Sequence, residues 1–404
     1  VTAAATEPVS RREQVFEIVY ALAIAAFLIS VYNKSATALS TLGTWVPGIL
    51  WLLRPRIAPT TRPYLRDRLL WLAMGFVIAL EASCLWSPKP MHSFDQFRRE
   101  IAVVVAIMLT LADAGSTRQV LARWCLVLIA GLAWHLGMHL RDWVVLASTA
   151  GRLLPDYGLL RDYGYGLVFA FPFLFAARHF VRPRLQSVLI ALAVLATVLA
   201  ITTGARGTWF ALALMVAGSA ILLGSRKLAL ALVAVGLGAA VTFATLDPGN
   251  PITTNVERGL DTSYRSAGTW TPAVEMIAER PALGHGFGRF VFDRAYEARQ
   301  PSRPHWVFER SPGPHSIFLD TAFAGGIVAL ALFIALCAAI ARRAWDLGRD
   351  GGWRGDLALA VLLSFVGQYL VYGFIESMSW HPLGIQLGLL LALTQARSAE
   401  RPAS

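Results

Sequence analysis

Only three cysteines occur in 404 residues. Cys84, Cys125 and Cys337 all fall inside apolar runs, which excludes a disulfide framework and a cysteine-based metal site. Charge is equally scarce, at 15% of residues against 56% hydrophobic ones. With a mean hydropathy of +0.55, such a chain does not fold as a water-soluble globule. No P-loop, nucleophile elbow or strand-associated dinucleotide fingerprint is present. No polar loop carries the paired carboxylates or His/Asp cluster that would hold Mg²⁺ or Mn²⁺. The expectation is therefore a protein without metal, cofactor or ATP hydrolysis. Linkers rich in Pro, Gly and Ser are missing, and so are internal repeats, which leaves one membrane domain.

What the chain does contain is apolar runs of spanning length, about twelve of them. They lie near 15–32, 36–53, 68–86, 100–113, 119–137, 163–180, 185–203, 207–224, 228–245, 315–341, 356–375 and 381–396. The first follows Arg11 and Arg12, but its core is too long for a secretory signal and no small-residue cleavage site follows, so it counts as a span. The expected fold is an all-α polytopic membrane protein of about twelve transmembrane helices: nine spans in 1–245, a polar helical cap in 246–314 and three spans in 315–404.

The net charge of +11 does not mark a nucleic-acid partner, because its distribution follows the membrane. Arg54, Arg56, Arg62, Arg66, Arg68, Arg118, Arg178, Arg182, Arg184, Arg226, Lys227, Arg342, Arg343, Arg349 and Arg354 all fall on one side of the predicted topology, the positive-inside pattern. Both termini are then cytoplasmic and 246–314 faces outward. Arg98, Arg99, Arg141, Arg152, Arg161 and Arg206 sit on the outer side, where the rule does not explain them. Trp86, Trp209 and Trp380 fit an aromatic belt. The stretch 141–165, with apolar residues interleaved among Arg and Asp, reads as an interfacial piece along the membrane. Ala322, Gly325, Gly326 and Ala329 suit close helix packing.

The interruption from Leu246 to Pro314 is the unusual feature, since helices joined by tight turns need no such loop and long loops commonly carry function. Helical patterns are expected over 268–280, ended by Pro281, and over 287–298. Arg206 lies in Thr202-Thr203-Gly204-Ala205-Arg206-Gly207-Thr208-Trp209, a tight outer connection whose glycines permit close approach of a ligand; a snorkelling arginine is the plainer reading. Arg265, after Asp261 and Tyr264, presents a side chain suited to bidentate phosphate binding, or to simple pairing with Asp261. Arg161, beside Asp162, has the same ambiguity. His315 follows Pro312-Gly313-Pro314 at the expected start of the tenth span, where the positive helix end disfavours imidazolium and favours a neutral ring able to accept a proton; a helix-cap histidine is the alternative. Gly284-His285-Gly286-Phe287-Gly288 reads as a close-approach turn beside a substrate or as a loop that shapes the backbone.

The order and spacing of Gly204-Ala205-Arg206-Gly207-Thr208-Trp209, Arg265 with Trp270, Glu279-Arg280-Pro281-Ala282-Leu283-Gly284-His285-Gly286-Phe287-Gly288 and Pro314-His315-Ser316 resemble the O-antigen ligase and polymerase superfamily. The resemblance covers 190–341 best, and size and the single long loop are most similar to the O-antigen ligases of lipopolysaccharide assembly. It implies a multi-pass protein of the bacterial inner membrane with its site and cap in the periplasm. The implied donor is an undecaprenyl-diphosphate-linked glycan and the implied acceptor lipid A-core, with membrane lipids as surroundings. His315 falls on the family's proposed base, and Arg206 and Arg265 on its diphosphate-binding arginines; Arg161 matches more loosely. Tyr264, His285 and Gly286 are candidate substrate contacts, and Arg98 and Arg99 candidate lipid-phosphate contacts. Arginines in place of a metal stabilise a departing diphosphate, and direct displacement inverts the anomeric centre. An O-antigen polymerase or a protein O-oligosaccharyltransferase shares this logic. A transporter or flippase for lipid-linked sugars would instead need polar groups near the midplane or repeated halves; Glu17, Glu81 and Gln368 are the few candidates within spans, with Asp320 and Glu376 nearer the outer ends.

Overall fold

A computed structural model describes residues 10–400 apart from 33–36, 59–60, 155–157, 248–249, 258–265 and 378. Among the described residues every regular element is helical. In chain order the helices are α1 (Arg11–Ser30), α2 (Thr37–Ile57), α3 (Arg68–Ser83), α4 (Pro90–Phe97), α5 (Val103–Asp113), α6 (Arg118–Ala150), α7 (Gly158–Arg161), α8 (Gly164–Ala176), α9 (Gln186–Thr202), α10 (Arg206–Leu222), α11 (Arg226–Leu246), α12 (Pro251–Glu257), α13 (Thr271–Glu279), α14 (Arg289–Arg299), α15 (Ile317–Gly348), α16 (Gly352–Phe365) and α17 (His381–Glu400). Sequence-encoded caps start several of them. Ser10 and Glu13 form a reciprocal capping box on α1 at 3.2 and 2.8 Å. Asp67 caps α3 through the Leu69 amide at 2.8 Å.

Each of the twelve apolar runs coincides with a helix. Among the described residues, seven segments are long and apolar enough to cross a membrane: Arg11–Ser30, Arg68–Trp86, Arg118–Ala150, Pro183–Thr202, Arg226–Leu246, Ile317–Gly348 and Gly352–Ile375. The chain is thus a polytopic all-α membrane protein. α8 is buried on every side, as expected for a helix apolar all round at the centre of a bundle. Around it one continuous apolar core joins the spans. At one end of that core, Asp113 accepts hydrogen bonds from Arg54, Arg62 and Tyr64, and Glu17 pairs with Arg54 at 2.8 Å. This buried charge is compensated on several sides, as a charge withdrawn from water must be.

Two local expectations are corrected. The segment after Arg141 does not turn along the membrane at once: α6 continues through 33 residues to Ala150, about 50 Å at the α-helical rise, and stops where Gly151 adopts a left-handed conformation. Gly325 and Gly326 do more than pack helices. They break α15, with φ/ψ of −121°/15° and 64°/−160°, which divides it into a short leading helix and a long one. The two expected helices of the polar segment are present as α13 and α14, and with Trp306 and Phe323 they enclose a separate small core of Ala273, Met276, Val291, Phe292 and Tyr296. Phe323 belongs to the leading piece of α15, so this core fastens the polar segment to the bundle.

Candidate functional site

The break in α15 leaves backbone groups that the helix cannot satisfy, and the loop before α14 supplies their partners. The His285 amide donates to the Phe323 carbonyl at 2.7 Å, the Gly286 amide to the Ala324 carbonyl at 3.0 Å, and the Ile327 amide to the Pro281 carbonyl at 2.8 Å. A broken helix at membrane depth is tolerated where protein satisfies the freed groups in this way. Gly284, with φ of 69°, permits the approach: a Cβ there would lie 2.5 Å from the Phe323 carbonyl oxygen. The His285 ring stacks on Phe323 with centroids 4.7 Å apart, and its Nε2 bonds the Met276 carbonyl at 2.7 Å. Burial pushes its pKa below the ordinary histidine range. The geometry gives the Gly284–Gly288 turn a structural task, holding the leading piece of α15, and with it His315, in place.

His315 precedes that piece, with φ of 45°, a left-handed backbone in a residue other than glycine. Its Nδ1 lies 2.8 Å from Glu376 Oε2. The other carboxylate oxygen, Oε1, accepts from Arg161 Nη2. Glu376 therefore joins His315 and Arg161, which are far apart in the chain. All three are partly shielded, with side chains 22%, 36% and 12% exposed for His315, Arg161 and Glu376. A carboxylate on Nδ1–H fixes the imidazole's orientation, leaves Nε2 as the nitrogen that takes a proton, and stabilises the imidazolium that results.

Two helix starts meet beside this network. Gly164, at the head of α8, lies so close to Thr208 of α10 that a Cβ would overlap the Thr208 hydroxyl. A Cβ on Gly207 would lie 2.9 Å from Ile375, the neighbour of Glu376. Tyr372 stands beside Arg161 and Thr208. Arg206, half-buried, is the first residue of α10 and so enters the same region. The turn before it is held by the left-handed Gly204 and by Trp209 Nε1 on the Ala200 carbonyl at 3.0 Å.

On its other flank the network borders a cavity of about 160 Å³, whose lining includes Gln96, Glu100, Arg289, Asp320, Ser377 and Trp380. Ser377 follows Glu376, and Asp320 follows His315 by little more than one helical turn. Arg289 also lies across Gly313, close enough that a Cβ there would overlap its guanidinium, and it is held to Asp293 at 2.8 Å. The cavity thus mixes carboxylates, an amide, a guanidinium and an indole, next in the chain to Glu376 through Ser377.

Of the residues expected from sequence, the structure brings together His315 and Arg161 and places Arg206 on the adjoining helix start. Arg265 and Tyr264 lie outside the described residues. Arg98 and Arg99 both pair with Asp95 at 2.6 Å. Sequence reasoning missed Glu376 as a partner. The available signal was a lone carboxylate directly after the apolar run Tyr369–Ile375, where ionisable residues are costly and tend to be functional.

Fold and site together define a polytopic membrane protein with a histidine–carboxylate–arginine network at one end of its helix bundle. Residues 166–334 match the family model described as O-antigen ligase. The chain is 27% identical over 349 residues to an O-antigen ligase of Salmonella typhimurium, covering 82% of this chain and 84% of that protein. It is 28% identical over 379 residues to an O-antigen ligase of Pseudomonas aeruginosa, covering 86% and 82%. The chain is thus similar to O-antigen ligases over most of its length, in line with the resemblance its motifs carry.

Proposed function

We propose that this protein is a membrane glycosyltransferase that moves O-antigen polysaccharide from undecaprenyl diphosphate to a sugar hydroxyl of lipid A-core. The observation that carries the reading is Glu376, whose carboxylate holds His315 through Nδ1 and Arg161 through Nη2. One carboxylate thereby sets a base beside a cation that binds phosphate. The similarity to two O-antigen ligases supports the choice of donor and acceptor.

In this reaction His315 Nε2 removes the proton from the acceptor hydroxyl as its oxygen attacks the anomeric carbon. The bond to the diphosphate oxygen breaks with inversion, and the electron pair leaves with undecaprenyl diphosphate. Negative charge growing on that group falls to Arg161, Arg206 and Arg265. A guanidinium has five N–H donors, so Arg161 retains donors for phosphate while bonded to Glu376. The starts of α8 and α10 add positive helix ends. With cations in these positions the transfer proceeds without a metal. The 160 Å³ cavity receives hydroxyls of the acceptor sugar.

The segment carrying α12–α14 is the periplasmic cap, the chain crosses the inner membrane about twelve times, and both termini are cytoplasmic. The transporter reading finds little support in the spans: Glu17 is consumed by Arg54, and Gln368 accepts from Gln386. The test is reconstitution in proteoliposomes with a lipid-linked glycan and either lipid A-core or free glycan as acceptor. Glycosylated lipid A-core is the expected product. An elongated lipid-linked glycan marks a polymerase, and glycan moved across the bilayer without a new bond overturns the enzyme reading.

A further inference from the structure

A second, wider groove lies away from the site just described. It has a volume of about 500 Å³ and runs between the end of α8, the first half of α9 and the start of α11. That size falls within the range of ligand-binding pockets. Its inner walls are apolar, formed by Leu174, Phe175, Leu189, Ile190, Ala193 and Leu228. Its rim is basic and polar, formed by Arg178, Gln186, Ser225, Arg226 and Lys227. No carboxylate lines it. Arg178 is already paired with Asp356 at 2.7 Å and reaches Ser225 at 3.4 Å. Arg226 and Lys227 are exposed and form no ion pair among the described residues.

Two candidate spans, Pro183–Thr202 and Arg226–Leu246, begin at this rim. The cations therefore stand at headgroup level and the apolar walls at acyl-chain level. Ile190, Leu230 and Val233 are exposed on the neighbouring surfaces of α9 and α11, so the groove opens sideways toward lipid. Basic pockets between transmembrane helices match the headgroups of anionic lipids. We propose that this groove is a binding site for an anionic glycerophospholipid, its phosphate between Arg226 and Lys227 and one acyl chain along Leu189, Ile190 and Leu228.

The test uses full-length protein, delipidated in a non-ionic detergent, and native mass spectrometry with phosphatidylglycerol or phosphatidylcholine added. The expected result is one retained phosphatidylglycerol, at least five-fold more abundant than the phosphatidylcholine adduct, and a melting temperature that rises with phosphatidylglycerol. Arg226→Gln with Lys227→Gln is expected to remove that preference while leaving the monodisperse elution of the wild type. Ala193→Trp, which fills the wall and keeps the cations, is expected to reduce retention as well. Equal adducts of the two lipids, an unchanged preference in the Gln variant, or equal stabilisation by glycerol phosphate without acyl chains would each overturn the proposal. The residues lie outside the histidine network, so these outcomes are independent of whether the chain proves to be a transferase.

Discussion

At the residue scale the proposed chemistry rests on a histidine whose ring is held by Glu376, from elsewhere in the chain. His315→Ala is expected to lower glycan transfer by about 10²–10⁴-fold, the usual contribution of a general base, without changing the melting temperature. Full activity in the folded variant would remove it from the mechanism. In the same proposal Glu376 positions the histidine, and its loss has a different signature. Glu376→Gln keeps the shape of the side chain but no longer stabilises imidazolium, so kcat is expected to fall by about 10²-fold and the pH–rate profile to move. Glu376→Asp should recover part of the rate. A merely structural role would lower stability and leave the pH profile where it was. Arg206→Ala and Arg161→Ala each remove charge-assisted hydrogen bonds worth about 1.5–3 kcal/mol, which is expected to weaken donor use roughly ten-fold or more. Unchanged donor kinetics would refute the diphosphate role.

At the scale of elements, the broken α15 and the loop that completes it form one unit. Gly326 has φ of 64°, and a Cβ there would overlap the Ala282 carbonyl. Gly326→Ala is accordingly expected to cost about 2 kcal/mol or more through backbone strain and lost pairing, read as a lower melting temperature and faster proteolysis at 281–288. His285 adds a pH dependence to the same unit. Its folded pKa is depressed by burial, so unfolded loop binds a proton more readily than folded loop. The stability it contributes is complete above the ordinary histidine pKa of about 6.5 and declines as pH falls through that value toward the lower folded one. Amide protection factors at Gly286 and Ile327, corrected for the intrinsic pH dependence of exchange, should fall between pH 7.5 and pH 5, and His285→Phe should remove the change.

At the scale of the whole molecule the claim is topological. The three native cysteines are buried, which leaves a clean background for labelling with impermeant thiol reagents. Exposed Ser302 lies just after α14 and exposed Ser398 near the end of α17. In permeabilised outer-membrane preparations with an intact inner membrane, Ser302→Cys should be labelled and Ser398→Cys should be protected until the membrane is broken. The reverse pattern would turn the bundle over and put the network in the cytoplasm. Addition of EDTA should leave transfer intact if arginines alone carry the leaving-group charge.

Much of this architecture is legible in the sequence because the forces behind it are local. An apolar run must form a helix in lipid, since its backbone has no other partner there, and the expected side of each arginine follows from the order of those runs. Ser10, Asp67 and Gly151 mark helix ends for equally local reasons. His315 and Arg161 stand out by residue type and setting alone. Only the tertiary structure decides that they meet, because the carboxylate that joins them lies 61 residues from one and 215 from the other. The same holds for Gly325 and Gly326, which read as packing residues until the Pro281–Gly286 loop supplies the hydrogen bonds that make a broken helix stable. Pairing across such distances leaves no periodicity in the chain, so it enters only with the packed bundle.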